Sequence, residues 1–164
     1  LTVMAKTIIG MMGPGDWATE MDLNNAEALG RAIANEGWVL LTGGRNVGVM
    51  DTASKGAQQA GGLVVGILPS SNNVGASEYL DIPICTGMGS ARNTINILSS
   101  NVVVACGSGA GTTSEVMLAL KAQKPLVLLN PADSLVNFID TLPYPKPQTA
   151  SSTDETVSII KQLV

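Results

Sequence analysis

The segment Asn101–Glu115, NVVVACGSGAGTTSE, decides the fold. Its first half, Val102, Val103, Val104 and Ala105, is an uninterrupted apolar run rich in β-branched residues. Such a run belongs to a strand buried on both faces, as in a parallel sheet. The second half, rich in glycine, serine and threonine, leads into a helical pattern, so the segment predicts strand, anion-binding turn and helix. Gly107, Gly109 and Gly111 remove Cβ atoms where a ligand approaches the backbone. A helix starting near Thr112 aims its free N–H groups and the positive end of its dipole at the same point. A phosphate suits that point better than a neutral group. Taken alone, the turn reads better as a tight strand-to-helix connection that uses glycine for its φ angles. Two further glycine turns follow strands elsewhere in the chain.

Upstream, Thr7–Met12 predict a first strand ending in Gly13-Pro14-Gly15. A helix from about Leu23 to Glu36 follows, with Ala26, Leu29 and Ile33 on one face and Gly37 at its end. Trp38–Thr42 form a second buried strand, and Gly43-Gly44-Arg45-Asn46-Val47-Gly48 the second glycine turn. A helix over Val49–Ala60 and a strand over Leu63–Leu68 come next. Pro69 ends the pairing, and Ser70–Tyr79 are a polar loop. Ile82–Cys85 are a short strand, after which Gly87-Met88-Gly89 open a helix over Ser90–Ser99. Downstream of the central segment, the helix runs to about Lys124, followed by a strand over Leu126–Leu129, a short helix over Leu135–Asp140 and a proline-rich connector, Pro143–Pro147. A last helix begins at a capping-box pattern, Ser152 to Glu155. Leu1–Ala5 precede the pattern and are given no structure. Alternating buried strands and helices mean a doubly wound parallel sheet with helices on both faces and right-handed crossovers, a Rossmann-like α/β fold. All 164 residues read as one domain. Ligands of such sheets sit beyond the carboxyl ends of the strands, where all three glycine turns converge.

Composition narrows the chemistry. With 9 Lys+Arg against 13 Asp+Glu and no basic cluster, the chain has no electrostatic footprint for nucleic acid. Aromatic residues make up only 3%, too few for a base-stacking surface that tracks a single strand. The chain contains no histidine, which removes Ser-His-Asp triads, histidine zinc sites and imidazole acid–base catalysis. Cys85 and Cys106 lack CxxC spacing and are expected to be reduced thiols, with no metal site. The N-terminal apolar run, Ile8–Met12, is too short for a signal segment or a membrane span, so a soluble cytoplasmic protein is expected.

Among phosphate ligands, dinucleotides fit poorly. Gly13-Pro14-Gly15-Asp16-Trp17-Ala18 has GxGxxA spacing, but the second strand ends Leu41-Thr42-Gly43-Gly44, without the acidic residue that holds ribose hydroxyls. No GxxxxGK[ST] occurs either. Arg92 falls in the first turn of a predicted helix, an unfavourable place for a cation unless an anion lies nearby. A salt bridge to a carboxylate elsewhere is the competing explanation.

Gly43-Gly44 through Gly48-Val49-Met50 resemble the GGGxxGLM motif of the LONELY GUY, or lysine-decarboxylase-like, superfamily. Gly109-Ala110-Gly111-Thr112-Thr113-Ser114-Glu115 resemble the end of its PGGxGTxxE motif. Gly89-Ser90-Ala91-Arg92-Asn93 fall on its MHxRK motif. Members of the LONELY GUY family are nucleoside 5′-monophosphate phosphoribohydrolases. By that resemblance Arg92 and Glu115 would act on the glycosidic bond and ribose. The chain departs at Gly107-Ser108 for Pro-Gly, Ser90 for His and Asn93 for Lys, which weighs toward a protein without catalytic residues. The phrases IIGMMGPG, EGWVLLTGGRNVGVM, AGGLVVGILP, IPICTGMGSARNTINILSSNVVVA and GAGTTSEVMLALKAQKPLVLL together are more similar to the molybdenum cofactor carrier branch of the superfamily. That resemblance implies a homo-oligomer, tetramer or dimer, that binds a phosphate-bearing pterin (molybdopterin), protects it and hands it to molybdoenzyme acceptors. The cofactor holds its metal through its own dithiolene, so the protein supplies phosphate and pterin contacts only. On this reading Ser90, Ser108, Thr112 and Thr113 offer hydroxyls, Arg92 pairs with phosphate, and Asn93 or Asn96 reads pterin edges. Gly13, Gly15, Gly43, Gly44, Arg45, Gly48, Met50, Gly89, Gly109, Gly111 and Glu115 complete the expected binding set. A nucleotide-sensing module is a third possibility. Ser90 and Thr112 can equally serve as ordinary helix N-caps.

Overall fold

The computed structural model describes residues 5–164; residues 1–4, which the sequence pattern leaves without structure, lie outside the described residues. Strands β1 (Ile8–Met12), β2 (Val39–Thr42), β3 (Val64–Leu68), β4 (Ile82–Cys85), β5 (Val102–Cys106), β6 (Leu126–Leu129) and β7 (Gln148–Ala150) form a single sheet. Its order is β4-β3-β2-β1-β5-β6-β7, with every pair parallel. The chain winds outward from β1 to β4, crosses back to place β5 against β1, and winds outward again. In that central pair Ile9 stands beside Val102 and Met12 beside Ala105.

Helices α1 (Glu20–Asn35), α2 (Gly48–Gln59), α3 (Asn93–Ser99), α4 (Ala110–Lys121), α5 (Asp133–Asp140) and α6 (Thr153–Leu163) make the outer layers. Strand alternation sorts the core into two clusters. Ile9, Met11, Val102, Val104 and Val127 face α1, α2 and α6, burying Leu29, Ile33, Val49, Ala53 and Ile160. Met12, Val103, Ala105, Leu126 and Leu128 face α3, α4 and α5, burying Ile97, Val116, Leu120 and Ile139. This is the period of two expected of a sheet covered on both faces. α1 and α2 touch backbone to backbone: a Cβ on Gly30 would lie 2.1 Å from the Ala53 carbonyl oxygen, and one on Gly56 would lie 2.1 Å from that of Glu27.

The structure corrects several element bounds. α1 begins at Glu20, three residues before its first predicted position, because Thr19 and Asp22 form a reciprocal capping box. At α6, Ser152 caps the Glu155 N–H, but the Glu155 carboxylate accepts from Ser151, not from Ser152. The helix predicted over Ser90–Ser99 is divided into a 3₁₀ turn, Gly89–Arg92, and α3. α4 starts at Ala110 rather than near Thr112 and ends at Lys121. β7 has no counterpart in the sequence reading. Among the described residues no helix is long and apolar enough to cross a membrane.

Candidate functional site

The loops leaving β1 and β5 diverge to opposite faces, and an open sheet has its binding crevice at such a switch point. A cleft of about 400 Å³ lies there. It collects Gly13 and Gly15 after β1, Gly43, Arg45 and Met50 around the β2–α2 turn, and Gly89, Ser90, Arg92 and Asn93 before α3. Gly109, Gly111, Thr112 and Glu115 come from the start of α4. Gly44, Gly48, Ser108 and Thr113 do not line it. The cleft also takes in residues absent from the sequence-based set: Met11, Met12, Pro14, Asp16, Trp17, Pro69 and Ala110.

The glycines divide by what their missing side chains accommodate. A Cβ on Gly13 would meet Val49 and the Cys106 carbonyl at 2.5–2.6 Å, and one on Gly43 would lie 2.7 Å from Arg92 Nη2 and 2.8 Å from Met50 Sδ. These two make room for protein. Gly48, at φ +58°, would press a Cβ onto the Pro14 and Gly15 carbonyls at 2.3 Å, and the Val49 N–H donates to Pro14 at 3.0 Å. The β1 turn is thereby clamped to the head of α2. A Cβ on Gly107 would strike the Asp22 carboxylate at 2.7 Å. Gly89 and Gly111 differ, because a Cβ on either would meet nothing within 4 Å. Of the cleft glycines, the two that border open space are therefore those of the 3₁₀ turn and the first turn of α4.

The amino end of α4 has the features of an anion site. Its N-cap, Gly109, offers no side-chain acceptor, and Thr113 makes the first intrahelical bond, to the Gly109 carbonyl at 2.8 Å. The N–H groups of Ala110, Gly111 and Thr112 precede that bond, as the orphan donors of a helix start do. The Thr112 hydroxyl is buried in the cleft wall and has no hydrogen-bond partner among the described residues. A buried hydroxyl is nearly always paired, so an unpaired one beside orphan N–H groups fits an oxyanion ligand.

Arg92 is 8% exposed, and it is held by carbonyls rather than a carboxylate. Its Nε donates to Ile67 O at 2.9 Å and Nη2 to Gly43 O at 3.3 Å, while Nη1 donates to Asn93 Oδ1. The guanidinium thus joins the carboxyl ends of β2 and β3 to the start of α3. No ion pair links it to a carboxylate among the described residues. Asn93 Nδ2 donates to Ser114 Oγ at 3.2 Å, and that hydroxyl donates to Gly111 O at 2.7 Å. Both polar atoms of the Asn93 side chain are therefore engaged in setting α3 against the first turn of α4.

Glu115 lies one turn further along α4, 6% exposed, and accepts from Asn96 Nδ2 at 3.1 Å. Burial raises its pKa above the ordinary carboxylate value; the Asn96 bond and the field of Arg92 oppose the rise. Burial also pulls Arg92 below the usual arginine range, against Glu115 and with Arg45 adding to the decrease. For Glu115 the folded state holds its proton to higher pH than the unfolded chain does. The associated stabilisation is complete below the unfolded value of about 4.3 and is lost as pH rises through the folded value. Glu115→Gln, whose amide oxygen can still accept from Asn96, should melt a few degrees above the wild type at pH 7. Melting curves recorded from pH 4 upward should show the two proteins converging at the acid end.

Cys106 lies within the core and its thiol is pushed up to about 12, by burial and then by Asp22. Cys85 is exposed, and among the described residues no group of three or more Cys, Asp or Glu side chains is arranged to hold a metal ion.

The fold and the site define an open α/β protein with an anion-compatible cleft at its switch point. The chain belongs to the SLOG cluster4 family, whose model matches residues 6–159. The molybdenum cofactor binding protein of the phototrophic bacterium Rippkaea orientalis is 56% identical, with a TM-score of 0.95 and 98% of each chain covered. The molybdenum cofactor carrier protein of Chlamydomonas reinhardtii is 49% identical, with a TM-score of 0.91 and coverage of 97% of this chain and 98% of that one. A cytokinin riboside 5′-monophosphate phosphoribohydrolase of Rhodococcoides fascians is 31% identical over 121 residues, 64% of this chain and 58% of the enzyme. The likeness to the two cofactor proteins thus runs end to end, whereas this chain matches little more than half of the hydrolase.

Proposed function

We propose that this chain binds the molybdenum cofactor at the switch-point cleft, shields it and delivers it to molybdoenzyme acceptors. The observation that carries this reading is the end-to-end likeness to two proteins that bind or carry that cofactor. The cleft chemistry agrees with it. The cofactor's phosphate would be received by the N–H groups of Ala110, Gly111 and Thr112 and by the unpaired Thr112 hydroxyl, where the dipole of α4 favours negative charge. Metal is carried on the cargo's own dithiolene, so no protein thiolate is required, in keeping with a buried Cys106 whose thiol stays protonated at neutral pH. Gly13, Gly15, Gly43, Arg45, Met50, Gly89, Ser90, Arg92, Asn93, Gly109 and Glu115 line the same cleft. Gly44, Gly48, Ser108 and Thr113 act at one remove.

The protein works in the cytoplasm as a homo-oligomer, tetramer or dimer. Exposed Leu98 on α3, with neighbouring Leu118 on α4 and Ala122 just past its end, offers an apolar surface for a second copy. The runner-up activity is phosphoribohydrolysis, which the juxtaposition of Arg92 and Glu115 in one cleft keeps in view. The two readings part in one experiment. Protein incubated anaerobically with cofactor and freed of excess should retain pterin, measured as its fluorescent oxidation product. The same preparation should release no base from adenosine 5′-monophosphate. Steady base release abolished by Glu115→Gln, without cofactor retention, would replace the carrier with the hydrolase.

A further inference from the structure

Trp17 stands at the rim of the cleft with 88% of its surface exposed. The chain has five aromatic residues, two Trp, two Tyr and one Phe, so an indole left in water at the mouth of the site is a poor use of scarce apolar surface unless something covers it. The exposure does not come from a loose loop. Gly13 is wedged against Val49 and the Cys106 carbonyl, the Ala18 N–H donates to Gly15 O at 3.2 Å, and Ala18 packs on the core. Trp17 therefore projects from a turn held on both sides. Arg45 reaches the same rim from the β2–α2 turn, its Nη1 3.8 Å from where a Gly15 Cβ would lie. The other Trp, Trp38, packs against the core.

We propose that Trp17 is the ring platform of the site: its indole stacks on the planar heterocycle of a ligand whose phosphate is held at the amino end of α4, with Arg45 flanking the ring. The proposal rests on the carrier reading and adds to it a group that recognises the face of the pterin ring rather than its edges or the phosphate. Helix N–H groups receive any phosphate, and the polar side chains along the cleft, Asp16, Ser90 and Glu115 among them, can meet only the edge of a ring, whereas Trp17 is the one aromatic side chain lining it among the described residues. Stacking on an exposed indole gains affinity for a flat π-system and nothing for a phosphate that carries no ring.

The test compares wild type, Trp17→Ala and Trp17→Phe, each titrated anaerobically with molybdenum cofactor and separately with glycerol 3-phosphate, a phosphate without a ring. Trp17→Ala should retain cofactor about tenfold less tightly or worse, the range of aromatic–base stacking. Trp17→Phe should stay within a few-fold of wild type. Weak competition by glycerol 3-phosphate should be equal in all three, as should the melting temperature, since the indole contributes no packing. Indole emission should be quenched by cofactor in the wild type and should not respond in Trp17→Phe, which retains only Trp38. Undiminished loading of Trp17→Ala would overturn the platform and leave the carrier reading standing. Trp17→Phe as weak as Trp17→Ala would overturn stacking, and equal loss of glycerol 3-phosphate competition would show a general distortion instead. A wild type that retains no cofactor would remove the carrier reading and the platform with it.

Discussion

Gly111→Val should abolish cofactor loading while leaving the fold intact. Gly111 lies in the first turn of α4, its φ is outside the left-handed region, and a Cβ there meets nothing within 4 Å. The position is therefore open to a Cβ, and no left-handed φ opposes a side chain there. Helix propensity changes by only a few tenths of a kcal/mol, in the direction of valine. The branched side chain instead fills the space in front of the orphan N–H groups, where a phosphate must approach within about 3 Å to be bound. Loading should fall below detection, roughly a hundredfold or more, the equivalent of losing two charge-assisted hydrogen bonds of about 1.5–3 kcal/mol each. Melting should shift by no more than a degree or two. Cys85→Ser is the control on the opposite mechanism, because a carrier that leaves the dithiolene unligated should load it as fully as the wild type. Full loading of Gly111→Val together with loss in Cys106→Ser would replace the phosphate cradle with metal–thiolate binding.

That contrast also marks how far the site was legible in the sequence. Three glycine turns after three buried strands predicted one cleft at one sheet edge, and Arg45, Arg92, Thr112 and Glu115 all line it. What the pattern could not reveal is the direction in which each glycine is bare. Gly13, Gly43, Gly48 and Gly107 make room for Val49, Arg92, Pro14 and Asp22, contacts made across the fold between residues far apart in the chain. Trp17 escaped for another reason. A lone aromatic in a polar turn has no periodicity, and the available signal was its place two residues after Gly15 in a GPGDW turn. The same physics explains the elements. β5 is apolar on both faces and reads plainly, whereas β7, Gln148–Ala150, is a short edge strand buried only at Ala150 and has no apolar run to find. β4 tolerates Pro83 because it too is an edge, with no further strand to receive that missing N–H.

Arg92→Ala should unfold the protein more readily than any surface change, contrary to the role in anion binding that its place near a helix start suggests. In the sequence, a cation in a first turn implies a neighbouring anion. In the structure it is satisfied by the carbonyls of Ile67 and Gly43 and by Asn93. Truncation leaves those carbonyls at the ends of β3 and β2 without their charged donor, and it removes the positive field that offsets the burial of Glu115. Bonds to a charged donor are worth about 1.5–3 kcal/mol, and each abandoned acceptor costs about 1–3 kcal/mol, while relief from burying the guanidinium returns part of the sum. A net loss of about 2–4 kcal/mol is expected. For a domain of this length, that is a fall in melting temperature of roughly 5–15 °C. Arg92→Lys should recover little of it, because one ammonium cannot reproduce a planar fork that spans two strands. The decisive comparison is with Gly111→Val: melting and loading measured on both variants should separate a residue that builds the cleft from one that only borders it. An Arg92→Ala protein that melts like the wild type yet fails to load would return Arg92 to the phosphate.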